Sequence, residues 1–238
     1  MKPLIPHKDI SVTTLSLGDT GEPLLIVDNF LANPEALLEH ASTVSFQPDS
    51  GQYPGVRAQA PASFNDAIHA QLSDSIRATF GLARREFKEI DSFYSVVTTA
   101  PQDLNLLQQL PHFDRTQRSD LASVYYLCAE HFGGTAFYRH RSTEYEYVDS
   151  ARRMPYLSRL DKELTESPLP KPPQYLNGST PLFEQIGITN AIFNRLIIYR
   201  CTSLHSGCIA SPPSTSTNLT NLTNLTEARL TIASFLHS

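Results

Sequence analysis

The chain has 238 residues, 40% of them hydrophobic, and a formal net charge of −5. That is enough apolar material for a sizeable core, and no basic stretch marks it as a nucleic-acid binder. No apolar run approaches the roughly 20 residues of a membrane-spanning helix, and Met1-Lys2-Pro3-Leu4-Ile5-Pro6 lacks the apolar core of a signal peptide.

Three cysteines, Cys128, Cys201 and Cys208, show no metal or redox spacing. They read as buried small apolar side chains in a reducing cytoplasm.

Residues 1 to 30 read as short strands joined by turns, with Leu24-Leu25-Ile26-Val27 as an apolar run. Asn33-Pro34-Glu35 signals a helix over 34–41. Residues 48 to 63 are rich in Gly, Pro and Gln and read as a loop. Asn65 is expected to cap a helix over 66–80, whose Ile68, Leu72, Ile76 and Phe80 recur every four residues before Gly81. Both helices would pack outside a sheet.

From Phe87 the pattern turns to strands. They are expected at 93–99, 122–128, 135–140, 195–199 and 230–236, with a short helix or strand at 182–187. Gly133-Gly134 reads as a turn from which 135–140 continues antiparallel. Residues 143 to 180 read as a helical insertion and a loop placed to cover a site. Ser211 to Thr226 carries the repeat Asn218-Leu219-Thr220, Asn221-Leu222-Thr223, Asn224-Leu225-Thr226. Each triplet matches a glycosylation acceptor, as does Asn177-Gly178-Ser179. With no secretory route in view, the repeat reads as a loop lengthened by duplication.

Chemistry concentrates at Pro111-His112-Phe113-Asp114. Residues i and i+2 of an extended chain face one side, so His112 and Asp114 can aim at one point. His205, in Leu204-His205-Ser206-Gly207, supplies a third candidate ligand. His131 and His140 are rivals for that place. Two histidines and a carboxylate with open positions form the ligand set of non-haem Fe(II) oxygenases.

These motifs resemble the 2-oxoglutarate- and Fe(II)-dependent dioxygenases, particularly the prolyl-4-hydroxylase-like branch. Pro111-His112-Phe113-Asp114, Tyr126-Leu127, Gly133-Gly134-Thr135-Ala136-Phe137, Leu204-His205-Ser206-Gly207 and Arg229-Leu230-Thr231 carry the similarity, over roughly residues 88 to 238. The resemblance implies a mainly β fold with flanking helices, a double-stranded β-helix of jelly-roll or cupin-like form. It implies one domain over 1–238, with supporting strands and helices in 1–86 and a jelly-roll core in 87–238 carrying the insertion 143–180.

It further implies that His112, Asp114 and His205 hold Fe(II), and that 2-oxoglutarate and O2 take the open positions. Arg229 and Thr231 would bind the far carboxylate of 2-oxoglutarate, with Tyr94 as a further contact. Tyr126, Arg139 and Arg141 would line a substrate pocket for a small molecule, an amino acid or a peptidyl side chain. Neither nucleic acid nor membrane is an expected partner, and the oligomeric state stays open.

The implied chemistry is oxidative decarboxylation of 2-oxoglutarate to succinate, coupled to hydroxylation of a C–H bond. Asp114 favours hydroxylation over halogenation, since halogenating relatives carry a small residue there. His205 and Arg229 lie 24 positions apart, a wider gap than is usual in that family. The Ser/Pro/Asn-Leu-Thr segment absorbs the excess if it loops out, at about 0.6 kcal/mol per doubling of loop length. In another register Arg200 or Arg195 would be the anchor. Two other readings remain: a cupin-like metal enzyme that does not use 2-oxoglutarate, and a binding module without turnover.

Overall fold

Two antiparallel sheets face each other in the computed structural model, which describes residues 2–49, 51–82, 89–210 and 225–237. In chain order the elements are β1 (Ser11–Leu17), β2 (Glu22–Asp28), α1 (Glu35–Ala41), β3 (Gln47–Pro48), β4 (Gly55–Gln59), α2 (Ala62–Phe80), β5 (Glu89–Val97), β6 (Leu121–Tyr126), β7 (Thr135–His140), α3 (Arg153–Glu166), β8 (Phe183–Thr189), β9 (Leu196–Arg200), β10 (His205–Gly207) and β11 (Leu230–His237). The larger sheet runs β1-β2-β9-β6-β11-β5-β4-β3, and the smaller β10-β7-β8. In the second half the chain passes from β6 in the larger sheet to β7 and β8 in the smaller, back to β9, across to β10 and back to β11, so the architecture is the expected double-stranded β-helix with flanking helices.

Alternation along each strand sorts the core into layers. Paired residues share a face, and β5, β11 and β6 align Val96 with Leu230, and Tyr94 with Ile232 and Tyr125. This face meets α1 and α2 through Leu37, Phe64, Ile68, Leu72 and Ile76 in one buried cluster. The other face turns inward. It aligns Thr231 with Ser95 and Tyr126, and Ala233 with Phe93 and Val124. Tyr126, Ile197 and Tyr199 pack there against Phe137 of the smaller sheet. Tyr138, Phe183 and Leu204 on the smaller sheet's outer side pack against Tyr156 and Leu160 of α3.

Several expectations change. Residues 48 to 63 include strand β4, which pairs with β5 from Gly55↔Val97 to Gln59↔Phe93. The signal was short: Val56 and Ala58 alternate with Gly55, Arg57 and Gln59 over five residues only, among Gly and Pro that read as loop. α2 starts at Ala62 rather than after Asn65. The Asn65 side chain instead bonds the Ile90 carbonyl and the Ser92 hydroxyl, tying helix to sheet. β7 does not pair with β6 but with β10 and β8. The Gly133-Gly134 step therefore changes sheets rather than closing a hairpin. A side chain there would collide with backbone: an added Cβ would lie 1.8 Å from the Cys208 carbonyl oxygen at Gly133, whose φ is +86°, and 1.8 Å from that of Thr189 at Gly134. The segment 182–187 resolves as strand β8. The expected loop 211–226 lies outside the described residues up to 224.

Ile232 is fully buried between sheet and helices. Ile232→Ala is expected to destabilise the fold by about 2–5 kcal/mol, read from the shift of the urea unfolding midpoint.

Candidate metal centre

His112 lies in the extended segment between β5 and β6, and His205 opens β10. Their backbones exchange both hydrogen bonds: each N–H donates to the other's carbonyl at 2.9 Å. A narrow antiparallel pair places its side chains next to each other. The two imidazoles accordingly sit with ring centroids 4.3 Å apart. The Asp114 N–H donates to the Cys201 carbonyl at 2.8 Å, which fixes the chain two residues on.

The carboxylate of Asp114 faces both rings, with Oδ1 3.7 Å from His112 Nε2 and Oδ2 3.7 Å from His205 Nε2. One ligand atom from each of the three residues lies within 4.8 Å of the others. At this spacing three side chains can share one small cation.

Further observations fit a cation. Asp114 Oδ2 is buried without a hydrogen-bond partner, a costly state unless a cation or proton meets it. Loss of solvent pushes the Asp114 pKa up, opposed by the charges of His205, Arg57 and Arg115. His205 Nδ1–H donates to the Ser203 carbonyl at 3.0 Å. That fixes the tautomer and leaves the Nε2 lone pair on the Asp114 side. Desolvation first, and the neighbouring His205 next, lower the His112 pKa well below its ordinary value. Its imidazole stays neutral, the form that binds metals.

These groups line a cavity of about 470 Å³. Arg229 and Thr231 line it too, two positions apart on the inward face as their spacing expects. Arg229 is held by the sheet-changing glycines: Nη2 donates to the Gly134 carbonyl at 2.8 Å and Nε to that of Gly133 at 3.3 Å. The Gly-Gly step thus serves the arginine directly. Nη1 makes no hydrogen bond with the described residues.

The rival residues are engaged elsewhere. Arg195 forms a fork with Asp28, and Arg200 donates to the carbonyls of Arg118 and Phe80. His140 bonds Thr143 and Glu163. His131 lies in the short turn before Gly133.

Four expected contacts are corrected. Tyr94 points to the helix side of the larger sheet, where its hydroxyl donates to the Leu37 carbonyl at 3.0 Å. It is one register step from the inward row of Ser95 and Thr231. Tyr126 does face inward, but it bridges the sheets through a 2.7 Å bond to the Thr135 hydroxyl and does not line the cavity. Arg139 is tied to Glu146, Asp19 and Glu184, and Arg141 to Glu184 and the Thr180 carbonyl. Neither is among the residues lining the cavity; they pair with acids at Asp19, Glu146 and Glu184 instead.

In their place the cavity wall holds Arg57, Tyr53, Tyr175 and Tyr199. Tyr199 packs on the His205 ring at 4.7 Å, and its place on the expected strand 195–199 that leads to His205 was the available signal. Tyr53 and Arg57 sat in a segment read as loop. A second groove shares Gln52, Leu107, Leu110, His112, Phe113 and Asp114 with the cavity and continues along Tyr156, Leu157 and Leu160 of α3. The metal centre lies where the two meet.

The sequence matches a family described as "Family of unknown function (DUF6445)" over residues 8–236. The chain belongs to this family. No curated protein sequence matches it significantly. Among solved structures, this DUF6445 chain is similar to HygX from Streptomyces hygroscopicus with nickel and 2-oxoglutarate bound, at 10% identity and a TM-score of 0.45, covering 90% of this chain and 83% of that one. An N-substituted L-amino acid dioxygenase from Burkholderia ambifaria AMMD gives 12% identity and a TM-score of 0.45, covering 100% and 97%. A Pseudomonas putida prolyl-4-hydroxylase gives 13% and 0.44, covering 90% and 91%. At these values the likeness concerns the general course of the chain and says nothing of ligand or reaction.

Tyr94→Phe removes a buried O–H and its bond to the Leu37 carbonyl. It is expected to cost about 0.5–1.5 kcal/mol in urea unfolding. Divalent-metal affinity, measured by calorimetry, should not change.

Proposed function

We propose that this protein is an Fe(II)- and 2-oxoglutarate-dependent dioxygenase that hydroxylates a C–H bond of a small molecule, an amino acid or a peptidyl side chain. The observation that carries the reading is the convergence of His112, Asp114 and His205 on one point of a cavity that also holds Arg229 and Thr231. Two neutral imidazoles and a carboxylate suit Fe(II) and leave coordination positions open. When bound, the iron and 2-oxoglutarate would supply oxidative decarboxylation to succinate, with O2 as oxidant.

The chain's own residues would do the rest. The Ser203 carbonyl orients His205, and the His112–His205 backbone pair keeps the ligands in register. Arg229, steadied by the two glycine carbonyls, would present Nη1 to the far carboxylate of 2-oxoglutarate. An arginine suits that role because its guanidinium stays charged and directional. Thr231, whose hydroxyl donates over a long 3.5 Å to the Ser95 carbonyl, would turn that donor to the cosubstrate from the same face. The aromatic wall of Tyr53, Tyr175 and Tyr199 would keep bulk water from the reacting atoms. Three free, buried cysteines accord with a reducing cytoplasm. No helix among the described residues is long and apolar enough to cross a membrane.

Succinate formation that requires both Fe(II) and 2-oxoglutarate is the expected result for the wild-type protein. His112→Ala should abolish it, and His140→Gln should leave metal affinity unchanged. Arg229→Leu should weaken 2-oxoglutarate binding by about tenfold to a hundredfold, the worth of a charge-assisted hydrogen bond. Undiminished turnover in His112→Ala would refute the reading. Undiminished 2-oxoglutarate affinity in Arg229→Leu would point instead to a metal enzyme of the cupin type.

A further inference from the structure

Arg57 is the least satisfied cation in the cavity. It projects from β4 in the same cross-strand row as Ser95 and Thr231. Guanidinium offers five N–H donors, yet Arg57 makes no hydrogen bond of good geometry among the described residues, and its buried Nε has no partner. Its one ion-pair contact is to Asp49 Oδ1, at 3.3 Å. The other oxygen of Asp49 is spent on the backbone N–H groups of Gly51 and Tyr53, which hold the preceding loop. The guanidinium stacks on the Tyr53 ring, 4.6 Å from its centroid. Stacking fixes its plane without consuming donors. The buried Tyr53 hydroxyl also lacks a partner. Burial pushes its pKa up to about 12, against the charges of Arg229 and then Arg57, so it remains a donor within reach of both arginines. The charge of Arg57 acts on both His112 and Asp114, so it lies within electrostatic reach of the metal centre.

Two unspent donor groups on one wall of a cavity call for an acceptor. Arg229 already accounts for the cosubstrate carboxylate. Asp49 sets the charge of the second ligand: it offsets part of the positive charge of Arg57 and would repel a dianion. A single planar carboxylate matches both the fork and the charge. The adjoining groove gives the rest of such a ligand an apolar path past Leu107, Leu110 and Phe113 to Leu157 and Leu160.

We propose that Arg57 is the substrate-recognition residue of this site, and that the substrate is a monocarboxylic acid with an apolar body. The acid lies on Arg57 and Tyr53, and the body lies across the metal centre toward α3. The proposal rests on the dioxygenase reading for the identity of the second ligand, but the arginine's role is measured separately.

The test is calorimetry on the Ni(II)-loaded full chain, with and without 2-oxoglutarate. The probes are hexanoate, octanoate and 3-phenylpropanoate, each beside its carboxamide, and phenyl phosphate as a dianion. Wild type should bind at least one acid about tenfold to a hundredfold more tightly than its amide and than the phosphate. Arg57→Met should erase that acid-over-amide preference, leave amide affinity in place and leave 2-oxoglutarate binding unchanged. Arg57→Lys should keep part of the preference, and it replaces Arg57→Met if thermal melting shows the latter unfolded. The proposal is overturned if no acid binds wild type better than its amide, if phenyl phosphate binds best, or if the preference survives loss of Arg57. It is also overturned if Arg57→Met loses 2-oxoglutarate instead, which would make Arg57 the cosubstrate anchor. Failure of wild type to bind 2-oxoglutarate, with the acid-over-amide preference intact, would sink the dioxygenase reading and not the role of Arg57.

Discussion

The reciprocal backbone pair between His112 and His205 is the constraint on which the site depends. It joins a segment that has just left the larger sheet to the first residue of a strand in the smaller one. Neither histidine could hold its place alone, because β6, β7, β8 and β9, drawn from both sheets, lie between them in the chain. The two sheets must close before the imidazoles meet. Site geometry is therefore a consequence of barrel closure, and a change that loosens the sheets acts on the centre through this pair.

Arg229 depends on the same closure from the other side. It sits one residue before β11 of the larger sheet, yet its hydrogen bonds go to Gly133 and Gly134, where the chain crosses to the smaller sheet. Side chains at those two positions would meet backbone carbonyls at impossible distances. The glycines are thus required twice, once to let strands approach and once to expose the carbonyls that steady a guanidinium. Opposite faces of β11 carry separate duties. Leu230 and Ile232 anchor the helices, while Arg229 and Thr231 face the cavity.

Much of this was readable from the chain itself. The His-x-Asp spacing, the downstream histidine and the Arg-x-Thr pair all rest on residue parity in extended chain, which survives folding. The helix α2 and the strands β7, β9 and β11 announced themselves through periodicity and β-branched content. What failed was parity without a register. Tyr94 lies on a correctly expected strand but on its other face, and only pairing with Ile232 and Tyr125 reveals this. Arg139 looked like a pocket residue, but distant acids at Asp19 and Glu146 claim it. Strand β4 was missed because its inward residue is an arginine, a type that reads as loop until a cavity is known to receive it. The same blindness hid Tyr53.

The reading comes down to whether three side chains far apart in the chain hold one divalent ion. A crystal structure of the protein grown with Co(II) and 2-oxoglutarate, with anomalous scattering at the cobalt edge, answers this directly. The account predicts a single strong peak bonded to His112, Asp114 and His205, with 2-oxoglutarate reaching from it to Arg229. A peak bonded to other residues, or an empty cavity at saturating cobalt, would contradict it.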